Sequence, residues 1–314
     1  MARFGFRAQT LGDGPPISNN VRGAGFMMIS MAAFVCNDTL MKLLSTEVPL
    51  FQAIFVRGLM ATCLILMLGG FYGVLHYRPR GRDRWLIGLR ILGETGATFL
   101  FLTALFNMPI ANATAILQVE PLAVTIGAAL FLGEKVGWRR YLAVAVGFLG
   151  VMLIIRPGSD GFTSYSLIAL AAMCFMVLRD LVTRRLSPGV PSVFVTVLTA
   201  VVITSSAGLA CLFVPWQPMT GSHVAHLSLT AIFLLFGYLF SVLAIRTGEI
   251  GYTSPFRYSV LIWAIMLGFL VFGDIPDIWM LTGSAIVVST GLYTFHREMV
   301  LTRSVRTRLM SNSG

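Results

Sequence analysis

Ten apolar runs, each near the twenty residues that a helix needs to cross a bilayer, follow one another along almost the whole chain. They are 22–41, 49–70, 85–105, 110–132, 139–155, 162–181, 191–214, 227–247, 252–272 and 278–295. In hydrocarbon a spanning segment must satisfy its own backbone hydrogen bonds, so runs of this length become helices. The links are too short to hold a soluble domain. The expectation is an all-α membrane protein of ten transmembrane helices. Composition agrees, because 56% hydrophobic residues, 11% charged residues and a mean hydropathy of +0.82 leave too little polar surface for a water-soluble fold.

The segment Met1–Val21 is polar, contains Gly and Pro, and lacks the apolar core of a cleavable signal, so the first run is expected to act as an uncleaved anchor behind a cytoplasmic tail. The net charge of +10 raises nucleic acid as a partner, but the basic residues are sorted by loop. With the N-terminus in the cytoplasm, the inner segments hold 17 Lys and Arg and the outer loops hold 2, Lys42 and Arg156. A nucleic-acid binder would gather such charges on one folded surface with interleaved aromatics. None is expected as a partner. The bias places both termini in the cytoplasm of a bacterial-type inner membrane, with a basic cytoplasmic segment at 297–314. Cys36, Cys63, Cys174 and Cys211 all lie within spans without CxxC spacing, which reads as small core residues. No metal or cofactor is expected.

The chain is written twice. A shift of 142 lays Asp38 on Asp180, Lys42 on Arg184, Ser45 on Ser187 and Val48-Pro49 on Val190-Pro191. A shift of 140 lays "ALFNMPIANAT" (104–114) on "AIRTGEIGYTS" (244–254) and Gly133 on Gly273. The halves, 22–158 and 159–296, hold five spans each. Five is odd, so the second half is expected to enter the membrane from the opposite side, as an inverted repeat. Two similar halves of opposite orientation can exchange roles and expose one central site to each face in turn.

The ten spans in two halves, "FVRG" (55–58), and above all the block 107–158 with "LGEKVGWRR" and the glycine-spaced fifth span, resemble the EamA-type branch of the drug/metabolite transporter superfamily. The second half departs more, with "FGDIPDIW" where the first has "LGEKVGWRR". The resemblance implies a secondary transporter of a small organic metabolite. It also implies a central cavity lined by spans one to four and six to nine, with five and ten peripheral. Carriers in that family include those for riboflavin, S-adenosylmethionine and amino acids. Riboflavin uptake is the first specific expectation, and "NDTLMKLL" in span one resembles the S-adenosylmethionine carriers.

Eight ionisable groups lie inside spans: Asp38, Arg57, Arg90, Glu94, Glu120, Arg179, Asp180 and Arg257. Each is costly in hydrocarbon, by roughly 2.5 to 3.5 kcal/mol on the lenient insertion scale, and so should face the interior, pair, or line water. Four acids balance four bases, which favours a neutral or zwitterionic solute. Glu120 and Glu94 fall nearest mid-depth. Arg90 and Glu94 share a face at i,i+4. Arg57 and Arg257 can hold a substrate anion or pair with the carboxylates. Asp38 with Lys42, and Asp180 with Arg184, have the spacing of gating pairs at the two mouths.

Asn112, Thr114 and Gln118, and by symmetry Tyr252, Ser254 and Tyr258, suggest polar stripes on spans four and nine. Pro121 cannot donate to the Leu117 carbonyl and should bend span four with Glu120 at the hinge. There the carboxylate either carries a proton and meets substrate, or packs against Arg57 or Arg90. Val260-Leu261 stand at the equivalent places in the second half.

An intramembrane enzyme would need a nucleophile with a base, or a motif such as HExxH or GxSxG, and neither is present; the chain is not expected to be an enzyme. A channel is disfavoured by the repeat. His223 and His226 read as solvated loop residues. Small residues in spans five and ten, Ala143, Gly147, Gly150, Gly283 and Gly291, permit close contact within the chain or in a homodimer. The topology is tested in a cysteine-free background. A reporter cysteine at Arg80 should be shielded from an impermeant thiol reagent in intact cells and one at Ser222 should react; the opposite pattern reverses the orientation.

Overall fold

The computed structural model describes residues 16–71, 77–79, 81–134, 137–157 and 163–311. Several expectations fall outside those residues: the tail up to residue 15, part of the basic loop after span two, Lys135 and Val136 of the quoted motif, and the boundary between the halves at 158–159.

The chain folds into α1 (Pro16–Leu43), α2 (Leu50–Phe71), α3 (Arg82–Asn107), α4 (Ile110–Leu117), α5 (Glu120–Leu132), α6 (Trp138–Ile155), α7 (Ser164–Arg184), α8 (Ser192–Ala210), α9 (Gly221–Thr247), α10 (Ile250–Thr253), α11 (Ser259–Leu267) and α12 (Ile278–Ser311). Among the described residues there is no strand, and ten helical stretches are long and apolar enough to cross a membrane. The fourth and ninth spans are each built in pieces, α4 with α5, and α10 with α11 through a 3-10 turn at Ser254–Tyr258. Span eight starts ahead of its apolar run. The Thr220 hydroxyl accepts the His223 amide and His223 Nδ1 accepts the Thr220 amide, both at 3.3 Å, a reciprocal cap that nucleates α9 at Gly221. His223 is therefore not a solvated loop residue; it is buried, with Nε2 2.6 Å from Glu47 Oε2.

The main helix pairs are α1 with α9, α3 with α7, α2 with α8, and α6 with α12. Counted as spans these are one–eight, three–six, two–seven and five–ten. Exchanging the two halves turns the first pair into the second and leaves the others unchanged, as a duplication packed about a two-fold axis requires. Thr62 and Thr204, 142 residues apart, share a hydrogen bond at 3.0 Å between buried hydroxyls. That separation is the one that matches Asp38 with Asp180, so the two hydroxyls stand at aligned positions of the two halves. Gly133 and Gly273 both end their spans at φ 71, where a side chain would be strained. Each lets the next amide close the helix: Glu134 donates to Ala128 O at 3.2 Å and Asp274 to Gly268 O at 3.1 Å.

Contacts also sort the two ends of the bundle. One end joins Glu47 to His223, Gln52 to Gln217 and Arg156 to Asp277; the other joins Asp83 to Ser187, Arg184 to Glu134 and Asn20 to Glu249. Arg82, Arg184, Arg185 and Arg246 belong to the second end, hereafter the basic end, and Lys42 to the first.

The small residues of spans five and ten are used inside the chain. A Cβ on Gly150 would stand 2.9 Å from Gly283 O, one on Gly147 would stand 3.0 Å from Thr290 Oγ1, and the Tyr258 ring covers Gly291. Gly147, Gly150, Gly283 and Gly291 thus serve close contact within the chain, one of the two uses that the sequence allowed. Gly150→Val should overpack this seam by about 1–3 kcal/mol and lower the thermal midpoint of the purified protein in detergent.

Candidate functional site

Gly93 on α3 packs against the α7 backbone so closely that a Cβ would lie 3.0 Å from Arg179 N and from Phe175 O. That contact brings the next residue, Glu94, beside Arg179. Span four supplies the second carboxylate. α4 ends at Leu117; Gln118 and Val119 then adopt φ,ψ of −67°,−8° and −79°,−11°, with amides donating to Ala115 O and Ile116 O at 3.2 and 3.4 Å. α5 restarts at Glu120 with Pro121 in its first turn, where the missing amide costs nothing. The expected bend is a full interruption. It places Glu120 at a helix N-terminus, whose dipole favours a carboxylate.

These groups converge on Arg179. Its Nη2 donates to Glu120 Oε1 at 2.8 Å, its Nη1 faces Glu94 Oε1 at 3.4 Å, and its Nε donates to Asp180 Oδ1 at 2.8 Å. Arg90 adds an ion pair to Glu94 at 3.8 Å and donates to Thr199 Oγ1 at 3.1 Å. Arg257, exposed on the broken ninth span, lies within electrostatic reach of Glu120. Three cations thus face three carboxylates. The Arg179, Glu94 and Glu120 side chains keep 19, 17 and 15% of their surface accessible, so the cage is neither sealed nor open.

The expected packing of Glu120 against Arg57 or Arg90 is corrected, because Arg179 stands closer on the facing helix. Arg57 belongs to a separate buried group, where its Nη1 donates to Asn37 Oδ1 at 3.2 Å and Asn37 Nδ2 donates to Asp38 Oδ1 at 2.8 Å. Neither i,i+4 gating pair forms. Asp180 turns to Arg179, and Arg184 instead meets Glu134, just past the end of α5, at 3.4 Å. Lys42 turns from Asp38 to the end of α3, donating to Leu105 O at 3.2 Å and to Met108 O, with its ammonium 5.3 Å from the Phe272 ring centroid and Asp274 within electrostatic reach. A cation among the last carbonyls of a helix is favoured by the dipole. Lys42 and Arg184 are equivalents under the repeat, and so are Asp274 and Glu134.

The expected polar stripes do not persist through the broken spans. Gln118 sits in the interruption and Asn112 on α4 is half-buried, while Tyr252 is exposed against Phe256 and Tyr258 is buried against Gly291. Tyr258 was among the expected site residues, whereas sequence reasoning missed Ser259, Trp263 and Thr95. Tyr258 Oη, Ser259 Oγ and Trp263 Nε1 along span nine, and Thr95 Oγ1 beside Glu94, are buried without a hydrogen-bond partner. Unpaired buried polar groups are costly and suit a site that a solute completes. The Ser259–Trp263 spacing of four was the available signal. Arg179 was visible as an intramembrane charge but was weighed only as a neighbour of Asp180.

Residues 21–156 match the model of the EamA-like transporter family. The chain is 28% identical to the riboflavin transporter of Vibrio cholerae over 85% of this chain and 91% of that one. It is 25% identical to the S-adenosylmethionine uptake transporter of Rickettsia conorii over 88% and 93%, and 30% identical to the riboflavin transporter of Rhizobium johnstonii over 63% and 66%. A solved crystal structure, 18% identical, superposes with a TM-score of 0.61 over 90% of this chain and 98% of that one, which shows the shared fold.

The first half of the chain thus matches the EamA-like transporter family, and most of its length is similar to bacterial metabolite transporters. The chain is a multi-pass membrane protein that carries a small-molecule metabolite, and it is not an enzyme. Removing Arg179 would leave two carboxylates facing each other without their shared cation, a loss of about 3–5 kcal/mol for a buried ion pair. Arg179→Gln should therefore lower the thermal midpoint in detergent. The double variant Arg179→Gln/Glu120→Gln should recover part of that loss, which a merely steric effect would not.

Proposed function

We propose that this chain is a secondary transporter of a bacterial inner membrane that works by alternating access, with riboflavin uptake as its activity and both termini in the cytoplasm. The halves 22–158 and 159–296 act as the exchanging units. The observation that carries the reading is the charge-balanced cage at the interruption of span four, where Arg179, Arg90 and Arg257 face Glu94, Glu120 and Asp180. Irregular backbone inside a membrane is tolerated where it is buried in protein or lines a cavity, and such breaks hold the substrate sites of carriers. Riboflavin is uncharged, with a flat ring and a hydroxyl-rich chain. Its hydrogen bonds match the unpaired groups at Tyr258, Ser259, Trp263 and Thr95, and a balanced cage imposes no demand for net charge.

A second reading, S-adenosylmethionine, is favoured by the cluster of Glu94, Glu120 and Asp180, which could meet a cationic solute. Lys42 with Asp274 at one mouth and Arg184 with Glu134 at the other serve as the alternating latches. Asp38 and Asp180, first paired with those cations, instead support Arg57 and the cage.

Reconstituted protein in liposomes separates the readings. Labelled riboflavin uptake should saturate, show counterflow, and be competed by unlabelled riboflavin and not by S-adenosylmethionine; the reverse order of competition selects the second reading. Glu120→Gln keeps shape and hydrogen bonding but removes titration. It should abolish pH-dependent accumulation while leaving exchange, which needs no net proton movement. Accumulation like the parent's over the whole pH range would make Glu120 a structural group.

A further inference from the structure

Away from the cage, α6 and α12 leave a groove of about 410 Å3 on the outside of the bundle. The two helices touch at Gly150 and Gly283 and part toward the basic end, where small Ala143 forms the floor and Leu142 and Val146 the exposed wall. From Trp138 to Val146 the groove follows about 12 Å of helix, close to the ~15 Å of hydrocarbon in one leaflet. An apolar groove at that depth on a membrane span meets acyl chains.

Its basic end is of different character. Trp138 is 70% exposed, the Arg139 guanidinium lies 5.5 Å from the Trp138 ring centroid, and Arg297 Nη1 donates to Tyr293 Oη at 3.4 Å on the facing helix. Trp and Tyr seek the headgroup level, and a cation over an aromatic face is held in place. Among the described residues lining the groove there is no carboxylate. Two cations above an apolar slot complement an anionic headgroup above its chains. A second copy of the chain would have to bury these cations against a surface of its own.

We propose that this groove binds one anionic phospholipid of the leaflet at the basic end, with its phosphate at Arg139 and Arg297 and an acyl chain along Leu142, Ala143 and Val146. The site is separate from the solute path, since none of its lining residues belongs to the cage.

Native mass spectrometry of the full-length, delipidated protein tests this with phosphatidylglycerol and phosphatidylcholine of identical chains. Phosphatidylglycerol should bind several-fold more tightly, and Arg139→Gln and Arg297→Gln should each reduce that preference about five-fold. Arg246→Gln, also at the basic end but outside the groove, should leave it unchanged. Val146→Trp should displace both lipids. Equal binding of the two lipids by the unaltered protein overturns the proposal without recourse to any variant. So does a preference that survives in the Arg139→Gln/Arg297→Gln double variant, or a dimer that Val146→Trp dissociates, which would assign the groove to a second copy.

Discussion

Arg179 is the group on which the interior of this protein depends. A guanidinium placed within a membrane span is tolerated only when its charge is answered, and here Glu94, Glu120 and Asp180 answer it from three elements. Each of those positions has its own structural cause. Glu94 needs the backbone contact at Gly93, Glu120 needs the interruption at Gln118–Val119, and Asp180 follows Arg179 on the same helix. Loosening any of them leaves carboxylates that cost as much in hydrocarbon as the cation does. The cage therefore ties α3, α5 and α7 together through electrostatics, where apolar packing against lipid-like neighbours would discriminate little.

Much of this was legible in the sequence. Apolar runs of spanning length identify ten helices because a bilayer imposes both length and hydrogen-bond closure, and Gly133 and Gly273, aligned under the repeat, turn out to form the same left-handed cap. The side-chain partners were not legible. An i,i+4 rule sees only neighbours on one helix, so it paired Asp38 with Lys42 and Asp180 with Arg184, whereas Lys42 reaches across to α3 and Arg184 to Glu134 just past α5. Pro121 was read as a bend because a missing amide removes one bond; that the helix would stop and restart depends on Gln118 and Val119 taking near-3-10 angles, which neither residue type demands.

The halves agree in backbone and differ in chemistry. Thr62 meets Thr204, its aligned counterpart, and both mouths carry a cation near an acid from the end of a broken span. Inside, the correspondence fails. Asn37 stands where the second half has Arg179, and Arg57 where it has Thr199. Asn37 and Arg179 each bond the aspartate that follows, but only Arg179 also draws in Glu94 and Glu120. A binding site has to recognise one asymmetric solute, so departure from symmetry at the centre is the expected mark of a site, while symmetry at the ends is the mark of a mechanism that treats both faces alike.

The strength of the two latches bears on that mechanism. An alternating carrier needs states within a few kcal/mol of one another, because a solute can shift their balance only by its differential affinity for them. Arg184 and Glu134 form a direct ion pair, but both side chains are half exposed, and screening holds such a pair to about 0–1 kcal/mol. Lys42 is more enclosed, yet it bonds neutral carbonyls and an aromatic face and feels Asp274 only at range. One mouth has the better partner in the wetter place, the other the weaker partner in the drier place. Those differences offset each other, so under the proposed mechanism neither mouth is locked and the choice of open face is left to the solute in the cage.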